Sequence, residues 1–256
     1  MNLHWRELGS GPPLVILHGL LGSLDNWVPV AQKLAEHFHV FLLDLRNHGH
    51  SPHADDFGYD EMSEDLREFV NQQGSGKARV LGHSMGGKVA MRFAQQHPGM
   101  IEKLVVVDIA PRGYPARYGG LMDLMLALDL SSFQRRDEVD AALSADIPDK
   151  TFRQFLLKNL GRDASGRLFW KSHLKSIRAN YDAVRGSFPH DVTCTCPALF
   201  LRGEKSNYIQ ESDVTLIHRL FPSAQIETVP GAGHWVHAHA PDKVVEAVTS
   251  FLLAET

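Results

Sequence analysis

The chain alternates short apolar runs with stretches of helical periodicity, and this rhythm restricts its fold more than any other feature. Strands are predicted at 14–17, 40–43, 79–81, 104–107, 198–201 and 225–229. Helices are predicted between and after them at 25–36, 59–73, 85–97, 212–221 and 242–254. Because most of these strands are unbroken apolar runs, the pattern predicts an α/β fold in which helices cover both faces of a mostly parallel, twisted sheet.

A segment of about 80 residues interrupts the rhythm. Between 112 and 191 we recognise only helical patterns, near 121–128, 139–145, 152–160 and 170–184. The strand–helix alternation then resumes, and 256 residues suit one large domain with an insertion. We therefore expect one core made of 1–111 and 192–256, with a helical cap, 112–191, inserted after the sixth strand.

Composition excludes several classes of function. The net charge is −4, whereas proteins that bind nucleic acid are usually basic. The sequence contains neither an apolar run of about 18 residues nor a signal peptide, so we expect no membrane partner. The only cysteines are Cys194 and Cys196, which a strand would hold too far apart for an easy disulfide. A reduced, cytoplasmic protein is expected, as a monomer or a homodimer.

Positive charge is concentrated in the predicted cap. The stretch 150–190 carries nine Lys and Arg residues against two Asp. Such a run is commonly a set of solvated helix faces. It also fits a basic rim that attracts an anionic substrate carrier such as coenzyme A, and both interpretations stay open.

The strongest chemical signal is the sequence Gly82-His83-Ser84-Met85-Gly86, which lies between a predicted strand and a predicted helix. This context is typical of a nucleophile elbow, a tight turn that needs small residues on both sides of the nucleophile. The helix that begins at Met85 directs free backbone N–H groups toward the turn, where they favour an oxyanion. Ser84 is therefore the predicted nucleophile.

A serine hydroxyl needs a base, and fifteen histidines compete for that role. His234 is the best placed, because it lies in a glycine-rich loop after the last predicted strand. Functional sites of open α/β sheets lie at this carboxyl end of the strands. A metal cluster of His234, His237 and His239 is the alternative, but no acidic or cysteine ligand nearby completes it. We expect no metal and no cofactor.

Two backbone N–H groups are needed to stabilise an oxyanion. The first is that of Met85, directly after the nucleophile. The second should follow an earlier strand, where His18-Gly19-Leu20-Leu21-Gly22 lies. Glycines allow the backbone to turn an amide inward, so the N–H of Leu20 is the predicted partner.

Together these segments resemble the α/β-hydrolase fold family, most closely its cytoplasmic bacterial serine esterase and acyl-thioesterase branch. The resemblance rests on 18–22, 44–51, 82–87 and 233–234 and covers the chain apart from the predicted cap. It implies a serine mechanism, and it implies that Asp44 and the histidines of 44–51 form scaffold.

The triad acid departs from the commonest family pattern. Most members carry Asp after the strand that follows the cap, but here Ser206 stands at that position. Asp108, at the end of the strand after the nucleophile helix, is our prediction, because neighbouring parallel strands end at the same edge. Glu204 is the second choice and Asp213 the third.

The predicted function is hydrolysis of small-molecule carboxylic esters or thioesters, acyl-CoA included, through an acyl-enzyme intermediate. A carbon–carbon bond hydrolase or lyase, and a ligand receptor with a vestigial site, are the alternatives. The predicted substrate-binding residues are Leu21, Met122, Trp170, Tyr208 and Trp235. Other apolar cap residues would wall an acyl pocket or form the cap's own core; they are Leu121, Met125, Phe152, Phe155 and Phe169.

Overall fold

A seven-stranded sheet forms the centre of the computed structural model, which describes residues 1–74, 76–186, 188–190 and 192–255. Its strands are β1 (Trp5–Leu8), β2 (Pro13–Leu17), β3 (His39–Leu43), β4 (Ala78–His83), β5 (Ile101–Val107), β8 (Ala198–Gly203) and β9 (Ala224–Val229). They lie in the order β1-β3-β2-β4-β5-β8-β9. Only β1 runs antiparallel to its neighbour, so the predicted mostly parallel sheet is confirmed.

Helices cover the sheet on both sides. Those of the core are α1 (Val28–Leu34), α2 (Tyr59–Gln72), α3 (Met85–Gln96), α9 (Val214–Leu220), α10 (Val236–His239) and α11 (Pro241–Leu253). Alternate residues of each strand point to opposite faces. Leu14 and Ile16 of β2 pack with α1 and α11, whereas Val15 and Leu17 pack with α2 and α3. Burial on both faces explains why the central strands read as continuous apolar runs. Among the described helices, none is long and apolar enough to cross a membrane.

In its described residues, the segment between β5 and β8 contains five α-helices, one short 3₁₀ helix (Leu130–Ser132) and a β-hairpin. The helices are α4 (Gly119–Ala127), α5 (Arg136–Leu143), α6 (Lys150–Leu157), α7 (Leu174–Ala179) and α8 (Tyr181–Arg185), and the hairpin pairs β6 (Leu160–Arg162) with β7 (Leu168–Trp170). The predicted limits of the cap stay a prediction, and its last residue, 191, lies outside the described residues.

Three details of the prediction were wrong. The insertion follows the fifth strand rather than the sixth. The expectation of helices alone missed the hairpin, whose turn is closed by the amide of Gly166 donating to Asp163, with Gly166 at a φ of +83°. The predicted helix 170–184 is interrupted, because Trp170 ends β7 and Asn180 separates α7 from α8.

The two cysteines also differ from expectation. Both are free, but their sulfur atoms lie 3.1 Å apart, with Cys194 buried and Cys196 half-buried. The backbone from 192 to 196 is irregular rather than a strand, so the side chains are not held to the spacing of alternate strand residues.

Candidate active site

Ser84 lies in the turn between β4 and α3. Its φ of 52° is left-handed, which is uncommon for a residue with a side chain and characteristic of a strained nucleophile turn. Small neighbours are obligatory here. A Cβ on Gly82 would lie 2.1 Å from the carbonyl oxygen of Gly86, and one on Gly86 would lie 2.5 Å from that of His18. The sequence folds into this turn because both flanking positions are glycine.

His234 faces Ser84 from the loop after β9. Its Nε2 lies 3.1 Å from Ser84 Oγ, within hydrogen-bond distance for proton transfer. Two contacts fix the imidazole and its loop. The ring of Tyr208 stacks on it with centroids 3.7 Å apart, and His83 Nε2 donates to the backbone carbonyl of His234 at 2.9 Å. The structure thus brings the predicted nucleophile and base together across 150 residues of sequence.

Asp108 completes the chain of contacts. Its Oδ2 lies 2.8 Å from His234 Nδ1, which donates to it, and its Oδ1 accepts from the amide of Gly203 at 3.0 Å. The hydroxyl of Ser206 donates to the same Oδ2. Asp108 is fully buried and also has a left-handed φ, 54°. Ser206, at the position where most relatives carry the acid, therefore contacts the carboxylate instead of replacing it.

The two other candidate acids lie elsewhere. Glu204 accepts from the amide of Gly231 at 2.8 Å, and its side chain makes no recorded contact with His234 in the described part of the chain. Asp213 forms an ion pair with Arg112, 2.8 Å apart. The geometry therefore favours Asp108 over both alternatives.

Leu20 and Met85 line the same cavity as Ser84, and Met85 follows Ser84 directly in the chain. Met85 begins α3, so its N–H has no partner within the helix, and the N–H of Leu20 has no recorded acceptor in the described ranges. Leu21 adopts a φ of 57°, and its amide donates to His48 Nε2 at 3.1 Å. Asn159, from the segment between β5 and β8, donates to the carbonyl of Leu21. These contacts hold the loop that presents the Leu20 amide.

Buried histidines support the loops around the site. His18 and His48 each accept a backbone amide at Nε2 and donate at Nδ1 to a backbone carbonyl, which requires the neutral form. Burial lowers the pKa of His48 to about 3 and that of His18 below its ordinary value. Asp44 accepts the amides of Leu24 and His50, 2.8 and 2.9 Å away. The loop 44–51 thus acts as scaffold.

Two arms of one cleft meet at Ser84. The first, here called the tryptophan arm, spans about 470 Å³ of space, open solvent at its mouth included, and is lined by Trp27, Phe152, Phe155, Trp235 and His234. The second, here called the tyrosine arm, spans about 490 Å³, again with open solvent included, and lies along α3, beside Met85 and Lys88. All five tyrosines of the sequence line the tyrosine arm: Tyr59, Tyr114, Tyr118, Tyr181 and Tyr208.

Three of the five predicted substrate-binding residues line this cleft. Leu21 and Trp235 belong to the tryptophan arm, and Tyr208 belongs to the tyrosine arm. The predictions for Met122 and Trp170 were wrong. Met122 is fully buried in the apolar core, and the Trp170 indole donates to the carbonyl of Met125, 3.0 Å away. Helical spacing alone could not separate residues that face the cleft from residues that face the core.

Sequence reasoning also missed two groups of lining residues. Lys88 lies within the nucleophile helix, where its position four residues after Ser84 was a usable signal, because such residues share one face of a helix. The tyrosines gave no such signal, since they come from separate elements far apart in the sequence.

The three histidines near the C-terminus do not converge. His237 stacks on Trp27 with centroids 4.3 Å apart, and His239 Nδ1 accepts the amide of Gly233 at 3.0 Å. Among the residues that the structure describes, no group of three or more His, Cys, Asp or Glu side chains is arranged to hold a metal ion.

The basic segment is partly neutralised. Arg153 and Arg178 pair with Asp140 and Asp123, acidic residues that lie outside 150–190. Arg167 and Arg185 pair with Asp163 and Asp182 inside it. These ion pairs weaken the field of a basic rim, so the segment gives less support to an anionic carrier than its sequence indicated.

The chain shares sequence and structure with known hydrolases. A family model described as the α/β hydrolase fold matches residues 12–241. The chain is 41% identical to sn-1-specific diacylglycerol lipase ABHD11 of Mus musculus, covering 94% of this chain and 81% of that protein. It is 34% identical to Esterase YbfF of Escherichia coli, covering 95% of this chain and 94% of that one.

A solved structure, described as a marine microorganism esterase, is 42% identical and superposes with a TM-score of 0.95, covering 97% of this chain and 98% of that one. These likenesses confirm the predicted resemblance to bacterial esterases. With a family model matched over most of its length, the chain belongs to the α/β hydrolase fold family.

Proposed function

We propose that the protein hydrolyses small-molecule carboxylic esters through an acyl-enzyme intermediate formed on Ser84. The observation that carries the proposal is the continuous set of contacts from Ser84 Oγ to His234 Nε2, 3.1 Å, and from His234 Nδ1 to Asp108 Oδ2, 2.8 Å. A weak nucleophile, a base and a carboxylate that orients the base are the groups that acyl transfer requires. The relatives named as esterases and lipases support the same reaction class.

The first half-reaction acylates the enzyme. Ser84 Oγ attacks the ester carbonyl carbon while His234 Nε2 takes the hydroxyl proton, and Asp108 stabilises the imidazolium without itself being protonated. The oxyanion accepts hydrogen bonds from the amides of Leu20 and Met85. The tetrahedral intermediate then expels the alcohol, which receives its proton from His234.

The second half-reaction releases the acid. A water molecule gives a proton to His234 Nε2 and attacks the acyl carbonyl. As the new tetrahedral intermediate collapses, the bond to Ser84 Oγ breaks, His234 returns the proton to Ser84 Oγ, and the free acid leaves. Burial of Asp108 and half-burial of His234 exclude most water from this relay. Hydrogen bonds to the oxyanion gain strength in such an environment.

The prediction for the nucleophile is tested by Ser84→Ala. We expect turnover of a nitrophenyl ester to fall by about 10⁶-fold, because the attacking group is removed. A serine-directed fluorophosphonate should label the parent protein and leave the variant unlabelled. Ser250→Ala, on an exposed position of α11, is the matched control and should retain both activity and labelling.

Retained turnover in a folded Ser84→Ala protein would exclude this mechanism. Labelling that survives in the variant would do the same. Since a carbon–carbon bond hydrolase can use the same three residues, a panel of esters, thioesters and β-diketones separates the reaction classes. Thioesters of coenzyme A, the cytoplasmic location and the oligomeric state stay predictions.

A further inference from the structure

Lys88 is a buried cation one helical turn beyond the nucleophile. Its backbone amide donates to the carbonyl of Ser84, and both residues line the tyrosine arm. Only 1% of Lys88 is exposed to solvent. Lysine is among the residues least often buried without a charged partner, because removing an ammonium from water costs several kcal/mol. The burial of Lys88 therefore calls for a functional or structural explanation.

The contacts of Lys88 do not neutralise it. Its Nζ donates to the carbonyl of Gly186 at 3.2 Å and lies over the rings of Tyr59 and Tyr114, 5.4 and 5.1 Å from their centroids. No carboxylate in the described ranges pairs with it. Burial chiefly, and the charge of Arg112 in addition, lower the pKa of Lys88 to about 7.

Three cationic residues lie among the mostly apolar and aromatic walls of the tyrosine arm. Lys88, Arg117 and Arg185 line it, and no acidic residue does so within the described chain. Arg185 pairs with Asp182, whereas Arg117 has no recorded acidic partner among the described residues. The Tyr181 hydroxyl accepts the amides of Arg117 and Tyr118 and keeps its own proton for a further acceptor. This lining suits an anion.

The position of His234 decides which half of the ester lies in each arm. Because His234 returns its proton to the departing alcohol, the alcohol lies beside His234, which lines the tryptophan arm. The acyl group therefore occupies the tyrosine arm, beside Met85 and Lys88.

We propose that the tyrosine arm selects acyl groups that end in a carboxylate, and that Lys88 binds this carboxylate. The preferred substrates are then monoesters of short dicarboxylic acids. Four residues, a rise of about 6 Å, separate Ser84 from Lys88 along the axis of α3, which suits a short chain between the two carbonyl carbons. This inference rests on the proposed ester hydrolysis and names its substrate class.

A purely structural role for Lys88 is the competing explanation. In that case the ammonium would serve the Gly186 carbonyl and the two tyrosine rings, and its replacement would affect folding rather than selectivity. Lys88→Met separates the two explanations, because methionine keeps the length and apolar stem of lysine without the charge. Removing an unpaired buried cation should also leave the melting temperature unchanged or raise it.

The experiment compares kcat/KM for two esters of one alcohol, the monoester of a three- to six-carbon dicarboxylic acid and its neutral methyl-capped diester. In Lys88→Met, we expect kcat/KM for the charged ester, divided by kcat/KM for the neutral ester, to decrease by a factor of about 10 to 100. This is the range for loss of a charge-assisted hydrogen bond. Lys243→Met, on an exposed position of α11, should keep the parent ratio. An unchanged ratio in a folded Lys88→Met protein overturns the proposal.

Binding to Ser84→Ala gives a second readout that does not depend on turnover. Calorimetry should show the dicarboxylate monoester binding to Ser84→Ala and binding more weakly, by the same factor, to the protein that also carries Lys88→Met. Equal affinity would assign Lys88 a structural role. Failure of the proposed hydrolysis is distinguishable, because it would appear as retained turnover in Ser84→Ala, whatever the result at Lys88.

Discussion

Asp108 faces His234 because two local features cooperate. The strand β5 ends beside β4, so the residue after it reaches the same sheet edge as Ser84. The left-handed φ of 54° at Asp108 accompanies a turn that directs its carboxylate toward the amide of Gly203 and toward His234. Ser206 contributes a hydroxyl to this carboxylate where a second acid would repel it.

Replacement of this carboxylate is the test at the scale of single residues. Asp108→Asn should lower kcat by up to about 10⁴-fold, since an amide can hold the imidazole in the wrong tautomer and cannot stabilise the imidazolium. Glu204→Gln is the matched control, because Glu204 contacts Gly231 and should leave kcat nearly unchanged. A large loss in Glu204→Gln with little loss in Asp108→Asn would reverse the assignment. Steady-state kinetics on a nitrophenyl ester measures both.

Single residues were predictable where a motif fixes the backbone around them. Ser84 and His234 lie in short glycine-rich segments, and the sequence shows that each segment follows a strand. Asp108 was predictable because Ser206 cannot carry the charge that the imidazolium needs. Met122 and Trp170 were assigned wrongly, and Lys88 was missed, because their exposure to the cleft depends on how distant elements pack.

Among the elements, the turn from β4 to α3 tolerates little change. A Cβ on Gly86 would lie 2.6 Å from the carbonyl oxygen of Leu17 as well as 2.5 Å from that of His18, so β2 would have to move. Gly86→Ala should therefore destabilise the fold by about 3 kcal/mol and displace Ser84 from His234. Urea unfolding and ester turnover should both show the loss.

Gly120→Ala is the matched control for this element. Gly120 lies near the start of α4, and a Cβ there meets nothing within 4 Å. We expect Gly120→Ala to raise the free energy of unfolding by about 0.5 to 1 kcal/mol, because alanine has less conformational freedom to lose on folding. If both alanine variants had similar stabilities, the close packing around Gly86 would not restrict the turn.

Burial made the central strands of the sheet the easiest to predict. The central strands are covered on both sides and read as apolar runs. β1 was missed because it lies at the sheet edge with Arg6 and Glu7 exposed, so it carries no apolar run. The β6–β7 hairpin was missed because each strand has only three residues, too few for a strand period to stand out from a helical one.

Across the whole molecule, buried neutral histidines tie stability to pH. Burial lowers the pKa of His48 and His237 to about 3, and that of His83 well below its ordinary value, chiefly because the charged ring would lose its hydration. The unfolded chain binds protons at these rings below a pH of about 6.5 and the folded chain does not. Stability is therefore full above that pH and is lost as the pH falls toward 3.

Urea unfolding at pH 7.5 and pH 5.0 measures this dependence. Each of His48 and His237 should account for a loss on the order of 2 kcal/mol at the lower pH. His237→Gln should reduce the difference between the two conditions, whereas His218→Gln, at an exposed position of α9, should not change it. An unchanged difference in His237→Gln would show that this ring is not a source of the dependence.

The collection of every tyrosine around one arm of the cleft gives the protein a built-in optical label. The rate at which tetranitromethane nitrates the four tyrosines other than Tyr118, which lines both arms, would follow occupancy of the tyrosine arm with no dye attached. Two of the four tryptophans, Trp27 and Trp235, line the other arm, so their fluorescence responds to the opposite end of a bound ester. Together the two signals report which half of a ligand has entered.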